Sequence, residues 1–497
     1  MSIAFLHAAK PLALEMTMFL GAAAVAIGPA AAAAANAALF LIRSRLLIIA
    51  GFSLPFECDN FLFSYTISVY MREQISPARS VNGAVQLPGD KSISHRYAML
   101  AAIAEGATKI ENYSTGADCQ STLGCVRALG IRVEKQGNQV TIEGCGMQGL
   151  REPDEMLDAG NSGSTIRMLS GILAAQPFQT RIGGDESLSR RPMERIMRPL
   201  GQMGASIEAR DGRFPPLTII GNGIRPIGYE LPMASAQVKT CVLFAGLYGD
   251  GQTTVQEPVR TRDHTELALR EFGAQVEVNR RTIGVTGPAH LKACNLMVPG
   301  DLSSAAFFAV AALIVSGSNL VIHGVGLNPT RTALLDVLSG MGAQIKILEI
   351  AQVGGELIGD IRVRTSRVKG GVIEKAQTAA VIDEIPVLSV LGAMSENGLV
   401  VRDAAELRVK ETDRIATIAR NLQRMGVRIE VKPDGFEIPG KQTFRAAELD
   451  SFGDHRIAMA FAVAALAADG PCTIDNAEAA SVSFPEFFAT LRQVANR

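Results

Sequence analysis

The stretch Leu87-Pro88-Gly89-Asp90-Lys91-Ser92-Ile93-Ser94-His95-Arg96 places a tight turn directly before an apolar run of sequence. Pro-Gly is typical of a turn, and Asp90 or Ser92 can cap the helix that the apolar run predicts. The backbone N–H groups of a first helical turn attract anions, and Lys91 and Arg96 add positive charge beside them. We therefore predict that this stretch binds a phosphate group.

The same turn recurs later in the chain, as Val298-Pro299-Gly300-Asp301-Leu302-Ser303, again before an apolar helix. Two similar crossings of this kind predict two similar halves, with the crossings as hinges. Ligands bind preferentially in the cleft between such halves. The predicted phosphate site therefore has a second wall, supplied by the other half.

A second repeat consists of a helix that ends on glycine and is followed by strand-like alternation. Its five copies are Leu129-Gly130-Ile131, Met203-Gly204-Ala205, Phe272-Gly273-Ala274, Met341-Gly342-Ala343 and Met425-Gly426-Val427. The glycine is expected in the left-handed conformation that ends a helix, and a second strand usually follows a short polar turn. The sequence thus predicts an α/β fold of repeated units, packed into globular domains rather than stacked in a rod.

Composition excludes several classes of protein. The 497 residues include 48 Lys and Arg against 49 Asp and Glu, so nothing global indicates binding to nucleic acid or to an anionic membrane. Seven cysteines without a CxxC pair predict free thiols in a reducing compartment, the cytoplasm. The chain carries no GxSxG, HExxH or Rossmann fingerprint, and the turn before Lys91 lacks the glycine that a P-loop requires.

Residues 1–70 differ in kind from the rest. No charged residue occurs from Met16 to Ile42, which is long enough to span a bilayer, but the run is mostly alanine with Gly28-Pro29 at its centre. Ordinary globular sequence begins at Met71. We predict that Met71 is the true start and that residues 1–70 are a non-native or unstructured extension; a membrane anchor is the alternative.

Further predicted helix starts carry polar or charged side chains, or a small residue that lets a ligand approach the backbone. The small residue is Gly163, and the others are Arg191, Ser235, Gln237, Asp383, Lys410, Glu411, Arg414 and Arg456. Each alone fits a helix cap or a solvated surface, and Lys410 and Arg414 are predicted to share one helical face. Together they would surround two anionic small molecules, which favours a phosphate-handling transferase.

The motifs LPGDKSISHR (87–96), GNSGSTIR (160–167), RPM (191–193), SAQ (235–237), RDHTE (262–266), RVKETDR (408–414) and DHR (454–456) resemble the signatures of the 3-phosphoshikimate 1-carboxyvinyltransferase family, in its second class. The resemblance covers 75–497 in order. It implies the enolpyruvyl-transferase fold, with two domains of three α/β units around a cleft. The first domain would comprise 71–90 plus 301–497 and the second 91–300.

The resemblance implies transfer of the enolpyruvyl group of phosphoenolpyruvate to the 5-hydroxyl of 3-phosphoshikimate, with release of phosphate. It implies no metal and no organic cofactor, and we expect a monomer. The nearest alternative is a UDP-N-acetylglucosamine enolpyruvyl transferase. That enzyme would carry a reactive cysteine in a mobile loop, and no cysteine here stands in such a motif.

The resemblance also assigns residues. Asp383 is the expected base for the attacking hydroxyl, Glu411 the candidate acid, and Lys91 an aid to proton transfer. The residues implied to bind 3-phosphoshikimate are Lys91, Ser92, Arg96, Ser235, Gln237, Asp383 and Lys410. Those implied to bind phosphoenolpyruvate are Lys91, Gly163, Arg191, Gln237, Arg414 and Arg456.

The chain departs from the family pattern near its C-terminus and in the RDHTE segment. Val482 stands where many members have lysine, so one contact to phosphoenolpyruvate is missing or replaced. Thr261 and His264 stand where some members use serine and tyrosine. Gly163 matches members that glyphosate inhibits, so we expect glyphosate to compete with phosphoenolpyruvate.

Overall fold

The two Pro-Gly-Asp turns lie side by side in the computed structural model, which describes residues 71–497. The N–H of Asp90 donates to the carbonyl of Pro299 at 2.7 Å, and that of Asp301 donates to the carbonyl of Pro88 at 3.1 Å. Gly89 and Gly300 form an antiparallel bridge between them. The chain therefore passes from one half of the molecule to the other twice, at the same place.

Up to the second crossing the elements are β1 (Glu73–Ile75), β2 (Ser80–Gln86), α1 (Lys91–Ile103), β3 (Glu105–Glu111), α2 (Ala117–Ala128), β4 (Arg132–Gln136), β5 (Gln139–Cys145), β6 (Leu157–Asp158), α3 (Gly163–Leu173), β7 (Gln179–Gly183), α4 (Glu194–Gln202), β8 (Ser206–Arg210), β9 (Phe214–Ile220), β10 (Gly228–Glu230), α5 (Ala236–Gly246), β11 (Gly251–Gln256), α6 (His264–Glu271), β12 (Val276–Asn279), β13 (Thr282–Gly287) and β14 (Asn295–Met297).

After it come α7 (Leu302–Ile314), β15 (Asn319–Gly326), α8 (Ala333–Gly340), β16 (Gln344–Val353), β17 (Glu356–Arg364), β18 (Gly371–Ile373), α9 (Ala376–Ala380), α10 (Ile385–Met394), β19 (Leu399–Val401), α11 (Arg414–Arg424), β20 (Glu430–Lys432), β21 (Gly435–Ile438), β22 (Glu448–Asp450), α12 (His455–Leu466), β23 (Cys472–Asp475), α13 (Phe487–Val494) and β24 (Ala495–Asn496). Short 3-10 turns at Leu188–Arg190, Ala405–Val409 and Ala477–Val482 precede α4, α11 and α13.

The described residues form six small sheets, five of which share one plan. Two parallel strands lie next to an antiparallel hairpin, as in the order β6-β7-β9-β8. At the crossings, however, strands are exchanged: β2 pairs in parallel with β15, and β14 with β3. Each crossing thus follows a strand that pairs in one half and precedes a helix of the other half.

The five repeated glycines take the predicted conformation. Their φ angles are +88° at Gly130, +109° at Gly204, +88° at Gly273, +88° at Gly342 and +80° at Gly426. A hairpin follows each one. This prediction is confirmed.

The sixth unit has no such glycine because it has no hairpin of its own. Its sheet has the order β1-β23-β22, in which β1, from the N-terminal side of the described chain, pairs antiparallel with β23. The position that a hairpin strand fills in the other sheets is therefore filled by a strand distant in sequence.

Two separate hydrophobic clusters form the interior. One contains Ile75 to Leu87 and residues between Leu302 and Val494, and we call this part the first lobe. The other lies between Ile93 and Val298, the second lobe. Residues 71–497 lie together in one compact unit. The site described next lies where the two lobes meet.

The predictions made for residues 1–70 fall outside the described residues. Between 71 and 497, none of the helices combines the length and the apolar character needed to cross a membrane.

Candidate active site

The six apolar helices that follow the first strand of a unit are α1, α3, α5, α7, α10 and α12. Five of them are capped by a side chain that accepts a backbone N–H bond, namely Asp90, Ser162, Ser235, Asp301 and Asp454. Capping fixes where each helix begins, and it leaves the following residues beside free N–H groups. Most of the predicted site residues stand at or next to these helix starts.

Lys91 is the first residue of α1. Its ammonium donates to Asp118 Oδ2 at 2.9 Å, and 18% of the side chain remains exposed. Burial lowers the pKa of Lys91, but the negative charges of Asp118 and Glu411 outweigh burial and raise it above 10.5. The ammonium therefore stays charged at neutral pH and can meet an anion.

Arg96 lies one turn further along α1 and is only 3% exposed. Its guanidinium donates to the hydroxyls of Thr265 at 2.7 Å and Thr240 at 3.0 Å, and to the carbonyl of Ser92 at 2.7 Å. Burial lowers the pKa of Arg96 to about 10, which still leaves it protonated at neutral pH. The side chain is thus held rigidly, with the half-buried Ser92 on the same helix start.

Gly163 and Gln237 are brought together by α3 and α5. Arg167 donates to Gln237 Oε1 at 3.0 Å, and Gln237 Nε2 donates to Ser164 Oγ at 2.9 Å. A Cβ at Gly163 would lie 2.6 Å from a terminal nitrogen of Arg167, so glycine gives that guanidinium its room. Ser235 caps α5 two residues before Gln237.

Arg191, just before α4, bridges the two lobes. It donates to the carbonyl of Asn161 at 3.2 Å, to the side-chain oxygen of Asn161 at 2.7 Å, and to Ser187 Oγ at 3.0 Å. Its Nη1 also lies 3.8 Å from Glu411 Oε1 in the first lobe. One carboxylate of the first lobe thus faces a cation of the second.

Asp383, two residues before α10, is enclosed by positive charges. Its Oδ2 accepts a hydrogen bond from Arg262 at 2.8 Å and lies 3.9 Å from Arg456, while Oδ1 lies 3.9 Å from Lys410 and 3.7 Å from Arg414. Burial raises the pKa of Asp383, but the surrounding cations, Arg456 foremost, outweigh burial and hold it well below 3.8. The carboxylate is therefore ionised at neutral pH.

Glu411 shares a cation with Asp383. Its Oε2 accepts a hydrogen bond from Arg414 at 2.5 Å, and Arg414 also donates to Asp454 at 2.8 Å. Burial raises the pKa of Glu411, but the positive charges around it, Arg414 foremost and then Arg191 and Lys410, hold it well below 4.5. The Nη1 atom of Arg414 is buried and has no hydrogen-bond partner among the described residues, so it can donate to a ligand.

The prediction that Lys410 and Arg414 share one helical face is wrong. Lys410 follows the 3-10 turn Ala405–Val409, and α11 begins only at Arg414, because Asp413 caps it by accepting a backbone N–H bond at 3.0 Å. Both cations nevertheless face Asp383, whose charge offsets their repulsion.

Arg456 is held at the start of α12. Its Nη1 donates to Ser303 Oγ at 2.6 Å and to the carbonyl of Asp383 at 2.8 Å, which ties three helix starts of the first lobe together. The neighbouring His455 is buried, and burial followed by the charge of Lys91 holds its pKa well below 6.5. The imidazole is therefore neutral, and it lies within the electrostatic reach of Lys91 from the other lobe.

Three charged residues of this site received no role from the sequence: Asp118, Arg167 and Arg262. The two arginines stand inside quoted motifs, which was the available signal. Asp118 stands in the first turn of α2, where an acid is ordinary, so nothing local marked its contact with Lys91.

The departures from the family pattern are also visible. Val482 ends the turn Ala477–Val482, and its carbonyl lies 2.8 Å from the position of a Cβ on Gly116, at the start of α2. His264 is buried and its Nδ1 lies 2.7 Å from Glu356 Oε1. Thr261 hydrogen-bonds Glu257.

The cysteines of residues 71–497 are free thiols. Cys119 lies beside the start of α1, with its Sγ 3.6 Å from the carbonyl of Lys91. Burial raises its pKa above the ordinary 9.0, so it is not an activated nucleophile.

The arrangement as a whole can bind two anions and move protons between them. Cations of both lobes and the N-termini of capped helices attract negative charge, and two ionised carboxylates stand on either side of Arg414. Among residues 71–497, no cluster of His, Cys, Asp or Glu is arranged to hold a metal ion.

Comparison with known proteins agrees with this chemistry. Residues 75–491 match the family model of EPSP synthase (3-phosphoshikimate 1-carboxyvinyltransferase). A 3-phosphoshikimate 1-carboxyvinyltransferase of Solibacter usitatus is 66% identical over 425 residues, which is 86% of this chain and all of that protein. One of Koribacter versatilis is 51% identical, over 85% of this chain and 99% of the relative.

Solved structures agree on the fold. An EPSP synthase of Acinetobacter baumannii is 43% identical, with a TM-score of 0.77 over 85% of this chain and 98% of that one. The enolpyruvyl transferase NikO of Streptomyces tendae, 20% identical, has a TM-score of 0.70 over 85% of this chain and 96% of that one. The predicted enolpyruvyl-transferase fold is confirmed.

The predicted enzyme and reaction are confirmed as well, and the UDP-N-acetylglucosamine enolpyruvyl transferase alternative is not supported. The chain belongs to the family of EPSP synthases, the 3-phosphoshikimate 1-carboxyvinyltransferases.

Proposed function

We propose that Asp383, Glu411 and Lys91 carry the proton transfers of the family reaction in this chain. The enolpyruvyl group moves from phosphoenolpyruvate to the 5-hydroxyl of 3-phosphoshikimate, giving 5-enolpyruvylshikimate 3-phosphate and phosphate. Asp383 takes the proton of the hydroxyl. Glu411 is ionised without substrates; it takes up a proton from solvent as the negative charge of bound phosphoenolpyruvate raises its pKa, and it passes that proton to the methylene carbon. The methyl group so formed loses a proton again when phosphate leaves. The observation that carries the proposal is that one guanidinium, of Arg414, lies 3.7 Å from Asp383 and 2.5 Å from Glu411.

Substrate binding is divided over both lobes in this proposal. For 3-phosphoshikimate the residues are Lys91, Ser92, Arg96, Ser235, Gln237, Asp383 and Lys410. For phosphoenolpyruvate they are Lys91, Gly163, Arg191, Gln237, Arg414 and Arg456. Support comes from the hydrogen bonds that hold Arg96, Arg191 and Arg456 in place, and from the capped helix starts. Both offer positive charge to an anion without reorganisation.

Without bound substrates Asp383 is a weak base, because its cations hold the pKa well below 3.8. Two polyanionic substrates neutralise those cations when they bind, which raises the pKa of the carboxylate and strengthens the base. Proton transfer is therefore favoured only when both substrates are present.

A pH study tests this coupling. The pH dependence of kcat/KM reports the free enzyme and that of kcat reports the bound enzyme. We expect the acidic limb of kcat at a higher pH than that of kcat/KM for 3-phosphoshikimate. Coincident limbs would contradict the coupling.

Substitution tests the roles themselves. We expect Asp383→Asn and Glu411→Gln to lower kcat by about 10²–10⁴-fold in a phosphate-release assay with both substrates. Asp336→Asn, at an exposed acid on α8 of the same lobe, is the matched control and should leave kcat unchanged. Near-normal turnover by Asp383→Asn would remove the proposed base.

Glyphosate probes the phosphoenolpyruvate half of the site. We expect millimolar glyphosate to lower initial rates competitively with phosphoenolpyruvate, because Gly163 leaves the Arg167 guanidinium free to face an anion. Initial rates that do not change in millimolar glyphosate would contradict the expectation.

We also propose that 71–90 plus 301–497 and 91–300 act as two domains that close on the substrates, in a cytoplasmic monomer. Support comes from the two separate hydrophobic clusters and from the paired crossings. Light scattering with and without substrates measures both mass and compaction. A peptide map of the native protein tests Met71 as its start, since any peptide from 1–70 would exclude it.

A further inference from the structure

Lys239 is a fully buried ammonium on α5, two residues beyond Gln237. Its Nζ donates to Glu266 Oε1 at 2.7 Å and to the carbonyl of Arg262 at 3.0 Å, and it lies 3.3 Å from Glu257 Oε1. Burying a charge is costly unless it is paired and hydrogen-bonded. A buried ammonium that is paired in this way keeps its partners in one arrangement. The proposed reaction does not use Lys239.

The partners of Lys239 bracket one loop. Glu257 follows β11, and Glu266 stands in the first turn of α6, so the loop 257–266 runs from one carboxylate to the other. Glu257 also accepts the N–H of Thr261 at 3.2 Å. The ammonium thus fastens both ends and the middle of the loop to α5.

This loop carries contacts that reach the active site. Arg262 donates across the lobes to Asp383 at 2.8 Å, and Thr265 accepts the hydrogen bond of Arg96 at 2.7 Å. The same helix that begins with Ser235 and Gln237 therefore also sets where Arg262 lies, through Lys239.

We propose that Lys239 is a positioning residue: it fastens the loop 257–266 so that Arg262 faces Asp383 while Thr265 holds Arg96. It touches neither substrate. The inference rests on the proposed roles of Asp383 and Arg96 in binding 3-phosphoshikimate. Loss of Lys239 therefore weakens the use of 3-phosphoshikimate more than that of phosphoenolpyruvate.

The test is a double-mutant cycle between Lys239 and Arg262. Lys239→Met alone would leave two buried carboxylates without their cation, so it is combined with Glu266→Gln, which keeps the net charge. We expect this variant to lower kcat/KM for 3-phosphoshikimate by about 10–100-fold, with KM for phosphoenolpyruvate changed less than about threefold. Adding Arg262→Ala should cost less than about threefold more, because the loop is already displaced.

A matched control separates positioning from stability. Leu243 is buried on the same helix and makes no polar side-chain contact, so Leu243→Ala should lower Tm while kcat/KM stays within about threefold of the parent. If the Lys239 variant does not fold, Glu257→Gln serves instead, since it removes one partner and keeps the Lys239–Glu266 pair. We expect it to act in the same direction and to be non-additive with Arg262→Ala.

Normal kcat/KM in the folded Lys239 variant, or effects that multiply with those of Arg262→Ala, would overturn the inference. The outcome is independent of the test of Asp383 as base. If Asp383→Asn stayed active, the proposed chemistry would fail, whereas the cycle would still measure whether Lys239 and Arg262 act together.

Discussion

The two crossings, 87–92 and 298–303, share a sequence pattern and a backbone role but differ in chemistry. Both cap an apolar helix with aspartate, and their backbones hydrogen-bond each other. The first continues with Lys91, whose ammonium remains partly exposed at the cleft, and the second with Leu302, which is 2% exposed in the core. The two copies thus share the turn and the aspartate cap, but of the two only the first presents a cation at the cleft.

The serines that follow also differ in use. Ser92 is half-buried at the helix start and its hydroxyl makes no hydrogen bond within the described chain. Ser303 donates to Glu384 at 2.5 Å and accepts from Arg456 at 2.6 Å. The second crossing therefore acts by holding Arg456 in place, whereas the first leaves the hydroxyl of Ser92 and the ammonium of Lys91 partly exposed at the cleft.

The largest effect on activity is expected when the residue after each capping aspartate, Lys91 or Leu302, is replaced by alanine. Lys91→Ala should lower kcat/KM on the order of 10³-fold with the fold intact, because a cation proposed to contact both substrates is lost. Leu302→Ala should instead cost about 2–5 kcal/mol of unfolding free energy and leave kcat within about threefold below its Tm. Enzyme assays and urea denaturation of both variants measure this, and substantial activity in Lys91→Ala would break the comparison.

The crossing glycines give the next largest effect, on stability. A Cβ at Gly89 would lie 1.8 Å from the carbonyl oxygen of Asn112, whereas one at Gly300 would lie 3.0 Å from that of Gly324. We expect Gly89→Ala to cost about 3 kcal/mol or more and Gly300→Ala about 1 kcal/mol, from overpacking. Urea denaturation of the pair measures the difference, and equal losses would show that the crossings tolerate side chains alike.

Local features of the fold were predictable from the sequence. A glycine after an apolar helix specifies its own left-handed turn, so the positive φ of Gly130 and of its four counterparts followed from a few neighbouring residues. The sixth unit was not predictable in this way. Its missing strand is β1, and Glu73 pairs with Ile474 almost a full chain length away.

The same limit applies to the site. Helix starts such as Asp90-Lys91 were visible because capping is local. The partners of the catalytic candidates were not, since Lys91 and Asp118 are 27 residues apart and Arg262 and Asp383 are 121 apart. The spacing of Lys410 from Arg414 predicted that both lie on one helix, but Asp413 caps that helix, which therefore begins only at Arg414.

The two aspartate caps differ in their titration. Burial and then the charge of Asp90 raise the pKa of Asp301 from 3.8 to about 6, although Arg331 opposes them. Burial raises the pKa of Asp90 as well, but the charges of His264 and Arg331 outweigh burial and lower this pKa below 3.8. One cap is therefore half-neutral near pH 6 and the other is charged.

The smallest predicted effect follows from that difference. Because the folded pKa of Asp301 is raised, the folded state binds its proton more tightly than the unfolded chain does, so stability falls as pH rises from about 4 to about 6 and beyond it is flat. Between about pH 5 and pH 7 this group should lower the unfolding free energy by about 1 kcal/mol. Asp301→Asn keeps a good cap and should remove that slope in urea denaturation. Asp90→Asn should reduce that slope without removing it, because it takes away the charge of Asp90 but leaves the burial that chiefly raises the pKa of Asp301. Parallel pH curves for the parent and Asp301→Asn would mean that the two caps titrate alike.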